Sequence, residues 1–190
     1  MSWNNFKSIM SAYMSNPNGV KSKEDFAKQF TQAYDIAILT GSVITKGIGG
    51  APLSVQKGNT ETMEKLVIAA CAIALTKKEK HTWIKDLGQA VVSYWGGAQM
   101  TLIPPQIPAV GSFQNIASTS AVVSNPGKWP ESQPEFPVDD PNKFLDIFIS
   151  YAMIHLTSIQ FMISTTSLYP GFPLLPPAPG GIVLTGYQLP

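Results

Sequence analysis

Proline is concentrated in one half of this chain. Fourteen of the 16 prolines follow residue 96, and seven of them fall within residues 98–138. Proline lacks a backbone N–H and clashes with the preceding helical turn, so most of this half cannot be helical. The distribution predicts a helical first half and a second half of extended chain that is interrupted by one helix.

Charge divides the chain at the same place. Residues 1–95 hold 11 lysines and 7 acids, whereas residues 96–190 hold 2 lysines and 5 acids. No lysine, aspartate or glutamate follows Asp146 for 44 residues, and the chain has no arginine at all. Duplex-binding proteins cluster basic residues and use arginine forks, so these counts exclude that class and predict no nucleic-acid partner.

Five helices are predicted from apolar periodicity and from residues that start or stop helices. They span about 3–15, 23–40, 60–78, 82–95 and 139–165. Ser22 is a predicted N-cap, and the run Asp139-Asp140-Pro141 predicts a helix start with proline in the first turn. Residues 66–75 are apolar all round, which predicts a buried central helix. Residues 41–59 are glycine-rich and predict a turned connection.

The predicted fold class is mainly α: a small body of four to five helices with long proline-rich irregular or extended arms. The predicted organisation is a helical body over 1–97, a proline-rich loop over 98–138, a long apolar helix over 139–165 that packs on the body, and an extended uncharged C-terminal arm over 166–190. The N-terminal residues lack the apolar run of a secretory signal, which favours an intracellular product.

Few residues suit catalysis or metal binding. Cys71, the single cysteine, lies in an apolar run that raises a thiol pKa. His155 lies in the apolar fifth helix, but the positions one turn away are Tyr, Ala, Ser and Ile, so a second metal ligand is missing. We expect a core or interface histidine with paired ring nitrogens. The prediction is no enzyme, no cofactor, no metal and no small-molecule substrate.

The C-terminal arm needs a surface to cover its apolar side chains. Six prolines fall within residues 166–190, so this stretch cannot fold into a compact unit by itself. Permanent interfaces are poor in charge, and aromatic anchors dominate their energy. The predicted partner-binding residues are Leu168, Tyr169, Phe172, Leu174, Leu175, Ile182, Leu184 and Tyr187.

A membrane role is the alternative. Residues 144–163 form a 20-residue stretch that is long enough to span a bilayer as a helix. Asp146, His155 and Gln160 interrupt it, and Lys143 is its only nearby flanking lysine, so the pattern disfavours a span. The alternative function is a small membrane-associated protein of the pore or lysis type.

Two stretches resemble a known class of proteins. The sequences SYWGGAQMTLIPPQIPA (93–109) and PGFPLLPPAPGGIVLTGYQLP (170–190), together with the short helical body, are similar to small structural proteins of tailed-phage virions, especially of large contractile-tailed phages. The resemblance implies a non-enzymatic subunit of the neck, tail or baseplate, assembled in the host cytoplasm and located in the virion. Its implied partners are other copies of itself and other structural proteins of the particle.

Overall fold

The computed structural model describes residues 2–16, 22–41, 43–44, 52–77, 80–102, 116–131, 140–167, 182–185 and 187. Within them the helices are α1 (Ser2–Met14), α2 (Lys23–Leu39), α3 (Thr60–Lys77), α4 (Lys80–Trp95) and α5 (Pro141–Ser158). The strands are β1 (Val43–Ile44), β2 (Pro52–Lys57), β3 (Gln99–Leu102), β4 (Ile116–Asn125), β5 (Gln160–Ser167) and β6 (Ile182–Thr185). The protein is therefore mainly helical, as predicted, and it also contains a small antiparallel sheet.

Two predicted helix starts are confirmed by their caps. The Ser22 hydroxyl accepts a hydrogen bond from the Asp25 N–H at 3.1 Å, at the start of α2. The Asp140 carboxylate accepts from the N–H groups of Asn142 at 2.9 Å and Lys143 at 3.3 Å, and Pro141 is the first residue of α5. Each cap satisfies backbone donors that the first helical turn leaves unpaired.

The fifth helix ends earlier than predicted. It stops at Ser158, and the chain continues as β5 instead of extending helically to residue 165. The hydroxyls of Thr157 and Ser158 donate to the carbonyls of Ile154 and His155, both at 2.7 Å, which satisfies carbonyls of the last turn. Ile159 is already extended, and a run rich in hydroxyl and β-branched residues follows it.

Strands occupy the proline-free windows of the regions predicted to be loop and arm. β3 and β4 lie inside the predicted loop 98–138, and β6 lies inside the predicted arm 166–190, so neither region is irregular throughout. β4 fits between Pro108 and Pro126, where ten consecutive residues can all join a ladder. The glycine-rich connection 41–59 likewise contains β1 and β2, and its proline is the first residue of β2.

All strand pairs are antiparallel, and the six strands are ordered as they occur in the chain. α3 and α4 connect β2 to β3, and α5 connects β4 to β5, so the helical connections leave the sheet at one end. The other three connections, 45–51, 103–115 and 168–181, begin and finish at the opposite end. We call this the loop end; it is defined by the strand ends Ile44, Pro52, Leu102, Ile116, Ser167 and Ile182.

An aromatic cluster holds three helices together. Phe6 of α1, Phe30 of α2 and Phe148 of α5 are almost fully buried, with ring centroids 5.0 to 5.6 Å apart. Such contacts add to the free energy of burying aromatic surface. α1 is further joined to α5 by an ion pair between Lys7 and Asp146.

The third helix is buried on one side only. Met63 and Val67 are inaccessible to solvent, whereas Leu66 is 37% exposed and Ile73 is 38% exposed. The prediction of burial all round is therefore wrong for the side chains that the structure describes in this helix.

Candidate interaction surface

The predicted partner-binding residues fall into three groups. Five of them lie outside the described residues: Leu168, Tyr169, Phe172, Leu174 and Leu175. Ile182 and Leu184 belong to β6, where they pair with Ile163 and Phe161 of β5. The remaining residue, Tyr187, lies in the interior of the protein.

Tyr187 is a correction to the sequence prediction, because it contacts its own chain. It is 3% exposed, and its ring packs on Trp95 at a centroid distance of 5.0 Å. Its hydroxyl oxygen accepts from the Val55 N–H at 3.2 Å and lies 2.7 Å from the Gly41 carbonyl oxygen. Burial raises the pKa of this phenol to about 12, so it stays neutral and can donate. A side chain held in this way is not available to a partner.

The burial of Tyr187 changes the character of the C-terminal region. Residues 168–181 connect β5 to β6, which are adjacent paired strands, and the chain beyond β6 returns to the core at Tyr187. The Tyr187 N–H donates to the Leu156 carbonyl at 3.0 Å. Residues 168–181 therefore connect two paired strands, and residues 182–185 and Tyr187, which were predicted to belong to the arm, are part of the folded body.

The strand register brings the ends of three connections that have few charges to one end of the sheet. Connections 45–51, 103–115 and 168–181 total 34 residues, with Lys46 as their only charged residue and eight prolines among them. The strand ends that carry them all lie at the loop end. Sequence reasoning identified the last connection as a contact segment but could not show that the three connections share one end of a sheet, because adjacency in a sheet depends on strand pairing.

The outer face of the sheet exposes an apolar cross-strand pair. Val122 of β4 lies opposite Met162 of β5, and their side chains are 48% and 39% exposed. The neighbouring residue Phe161 is fully buried on the helical side, as strand alternation requires. Sequence analysis did not identify this pair. The available indication of a strand here was the run 116–125, which has ten residues without proline and several β-branched side chains.

A shallow cavity of about 410 Å³ lies between α4 and the segment that follows β4. Its lining residues are Lys85, Gln89, Val92, Gly127, Lys128, Trp129, Pro130 and Glu131. His155 lies behind this segment and is fully buried. Its Nε2–H donates to the Pro126 carbonyl at 2.8 Å, whereas Nδ1 has no partner among the residues that the structure describes, so one of the two expected nitrogen pairings is formed there.

His155 is therefore a neutral structural residue in this arrangement. Burial lowers its pKa to about 4, although the bond to the Pro126 carbonyl opposes that shift. Within the described part of the chain, no three His, Cys, Asp or Glu side chains are grouped to hold a metal ion. Burial also raises the pKa of the Cys71 thiol, which weakens it as a nucleophile.

The membrane alternative depended on a continuous helix over 144–163, but α5 ends at Ser158. Among the described residues, no helix combines the length and the apolar character needed to cross a bilayer. Comparisons with protein-family models, with curated proteins and with solved structures found no match to the chain.

Proposed function

We propose that the protein is a non-enzymatic structural subunit of a large multi-protein assembly, namely a component of a tailed-phage virion in the neck, tail or baseplate. It binds other copies of itself and other structural proteins of the particle, without a cofactor. The loop end of the sheet is its main contact surface.

The observation that carries this proposal is that three connections with one charged residue among them begin and finish at the loop end. The centres of permanent interfaces are apolar and depleted in charge. Three connections that total 34 residues with a single lysine match that composition, and they begin and finish at one end of one sheet. Their eight prolines reduce the conformational entropy that is lost when they dock.

The body has its own means of stability, which separates folding from binding. Phe6, Phe30 and Phe148 join three helices, and Tyr187 joins the C-terminal region to the body. None of these side chains lies in a loop-end connection. Replacing a connection should therefore leave the body folded, so that an effect on assembly can be assigned to the connection itself.

The test is the presence of the protein in purified virus particles. Particles are banded in a density gradient, washed in high salt and analysed by quantitative mass spectrometry. We expect the chain to band with the particles and to survive the wash, because contacts between uncharged surfaces are weakly affected by salt. Absence of the chain from washed particles would contradict the proposal.

A variant locates the contact. Residues 168–181 are replaced by a Gly/Ser linker of the same 14-residue length, which keeps β6 and Tyr187 in place. We expect a cooperative unfolding transition close to that of the wild type and loss of the chain from particles. The matched control replaces 132–139, a connection that enters α5 and does not belong to the loop end. Normal incorporation of the 168–181 variant would show that this connection is not the contact.

A further inference from the structure

The two edges of the sheet differ in how well they are protected. β1 is two residues long, whereas β6 has four residues, Ile-Val-Leu-Thr, with no charge and no proline. Proteins usually protect an edge strand by shortening it or by adding lysine, proline or a bulge, because its unpaired N–H and C=O groups otherwise recruit another strand. In the part of the chain that the structure describes, no strand pairs along the outer side of β6.

The register continues an apolar row from β4 and β5 onto this edge strand. The register places Val122, Met162 and Val183 at successive positions across β4, β5 and β6. The first two side chains are substantially exposed, at 48% and 39%. Neighbouring exposed apolar groups are typical of a contact surface, and the register places Val183 of the edge strand next to this pair.

The position of β6 is also fixed by contacts within its own chain. All four residues of β6 pair with β5, and Tyr187, two residues beyond the strand, is buried and bonded to β2 through the Val55 N–H. A fixed strand loses little conformational freedom when it pairs, which favours association.

From these observations we propose that β6 is a docking edge for a second copy of this chain, so that two β6 strands pair antiparallel about a two-fold axis and join the two sheets. This names one partner of the proposed assembly subunit and rests on that proposed function. An edge strand of uncharged residues is self-complementary, and identical strands related by a two-fold axis pair antiparallel by symmetry.

Face alternation fixes the register of the pair. With Val183 opposite Val183 of the second copy, the apolar rows of the two sheets lie on the same face and continue one another across the joint. A slip of one residue would place this row beside the core-facing positions of the second copy. Ile182 of each copy then lies opposite Leu184 of the other, so both predicted partner-binding residues take part through strand pairing.

The test is site-specific disulfide formation in a Cys71→Ala background, which has no other cysteine. Val183→Cys brings two thiols together, since opposite Cα atoms in an antiparallel pair are about 4.5–5.5 Å apart, within disulfide range. Thr185→Cys controls the register, because its two copies would be about 13 Å apart at 3.3 Å per residue. Val43→Cys controls the edge, because it places the same change on β1. We expect a covalent dimer on mild oxidation for Val183→Cys alone.

A second measurement does not depend on cysteine chemistry. Sedimentation equilibrium should show a reversible dimer, and Val183→Lys should raise its dissociation constant at least tenfold, since two like charges would meet at the joint. Ser124→Lys adds the same charge at an exposed position of β4 and should leave the dissociation constant within about twofold. A folded wild type that stays monomeric to about 100 μM, or equal oxidation of Val43→Cys and Val183→Cys, would overturn the inference.

These outcomes are distinct from those of the particle experiment. A chain that bands with virions but forms no β6-linked dimer keeps the proposed function and removes this contact. A chain that cross-links through Val183→Cys but is absent from particles keeps the contact and removes the proposed function.

Discussion

Replacing Tyr187 by phenylalanine removes a single hydroxyl and tests whether the C-terminal region is part of the folded body. The hydroxyl accepts from the Val55 N–H at 3.2 Å and lies 2.7 Å from the Gly41 carbonyl oxygen, in a side chain that is 3% exposed. Without it, a buried N–H loses an acceptor and a buried carbonyl loses a donor. A buried group left unpaired costs about 1–3 kcal/mol, so two of them with partial relaxation give a loss of about 2–4 kcal/mol.

The assay is equilibrium unfolding in urea, followed by far-UV circular dichroism and by tryptophan fluorescence. A loss of this size is a large part of the 5–15 kcal/mol that is typical of a domain, so the midpoint should fall clearly while the slope stays unchanged. Tyr34→Phe is the matched control, because its fully buried hydroxyl accepts one bond, from the Trp95 Nε1–H at 3.0 Å. We expect a smaller loss there, about 1–2 kcal/mol.

The refuting result is also specific. If Tyr187→Phe changes the free energy of unfolding by less than about 0.5 kcal/mol, which is the scale of ordinary surface substitutions, the hydroxyl does not hold the C-terminal region in place. The assignment of 182–187 to the folded body would then be wrong.

Three further predictions address the helices and the buried histidine. Gly88→Ala should destabilise the protein by about 1–3 kcal/mol despite the better helix propensity of alanine, because its Cβ would overlap the Trp129 indole ring. Gly96→Ala is the control: its Cβ meets its nearest atom at 3.5 Å, so it should be nearly neutral in thermal unfolding. The pKa of His155 is about 4 in the folded protein against 6.5 in the unfolded chain, so the unfolded chain binds the extra proton between these values. The free energy of unfolding should therefore fall by about 3 kcal/mol as the pH drops from 6.5 to 4. His155→Gln should flatten this pH dependence in urea titrations at several pH values. Asp140→Ala should lower the free energy of unfolding by about 1 kcal/mol through loss of its cap, and an unchanged urea midpoint would contradict this.

The helices could be predicted from the sequence because the interactions that start them are local. Ser22 and Asp140 each cap a helix through backbone groups two or three residues away. The second helix, predicted over 23–40, is found at Lys23–Leu39, and the fourth, predicted over 82–95, is found at Lys80–Trp95. Neighbouring residues decide these boundaries, so pattern reading places them within one or two residues.

The sheet could not be predicted in the same way, because each strand depends on a partner far along the chain. β4 pairs with β5 across the whole of α5, and β2 pairs with β3 across α3 and α4. The density of proline over 98–138 obscured the proline-free window in which β4 forms. A count over short windows would have indicated a strand there, but not which strand it joins.

The candidate surface was predicted in composition but not in arrangement. A lack of charge indicates that a segment is covered, and it does not indicate whether its own chain or another protein covers it. Tyr187 and residues 168–181 share the same uncharged stretch, yet Tyr187 packs inside its own body, while 168–181 is the connection that we assign to partners. Tyr187 is assigned to the body by its burial and by its bond to the Val55 N–H, a contact between residues that are far apart in the sequence.

The two proposed contacts are geometrically compatible, and together they suggest how a subunit of this kind would join its neighbours. Pairing through β6 uses one edge of the sheet, and Ile182 is the one strand end of the loop end that belongs to that edge strand; the other five strand ends belong to β1 to β5. Because the two β6 strands run antiparallel, the two loop ends of a dimer point in opposite directions along the strands. A pair joined in this way therefore presents its two loop ends in opposite directions, so that under the two proposals each loop end can bind a different neighbour.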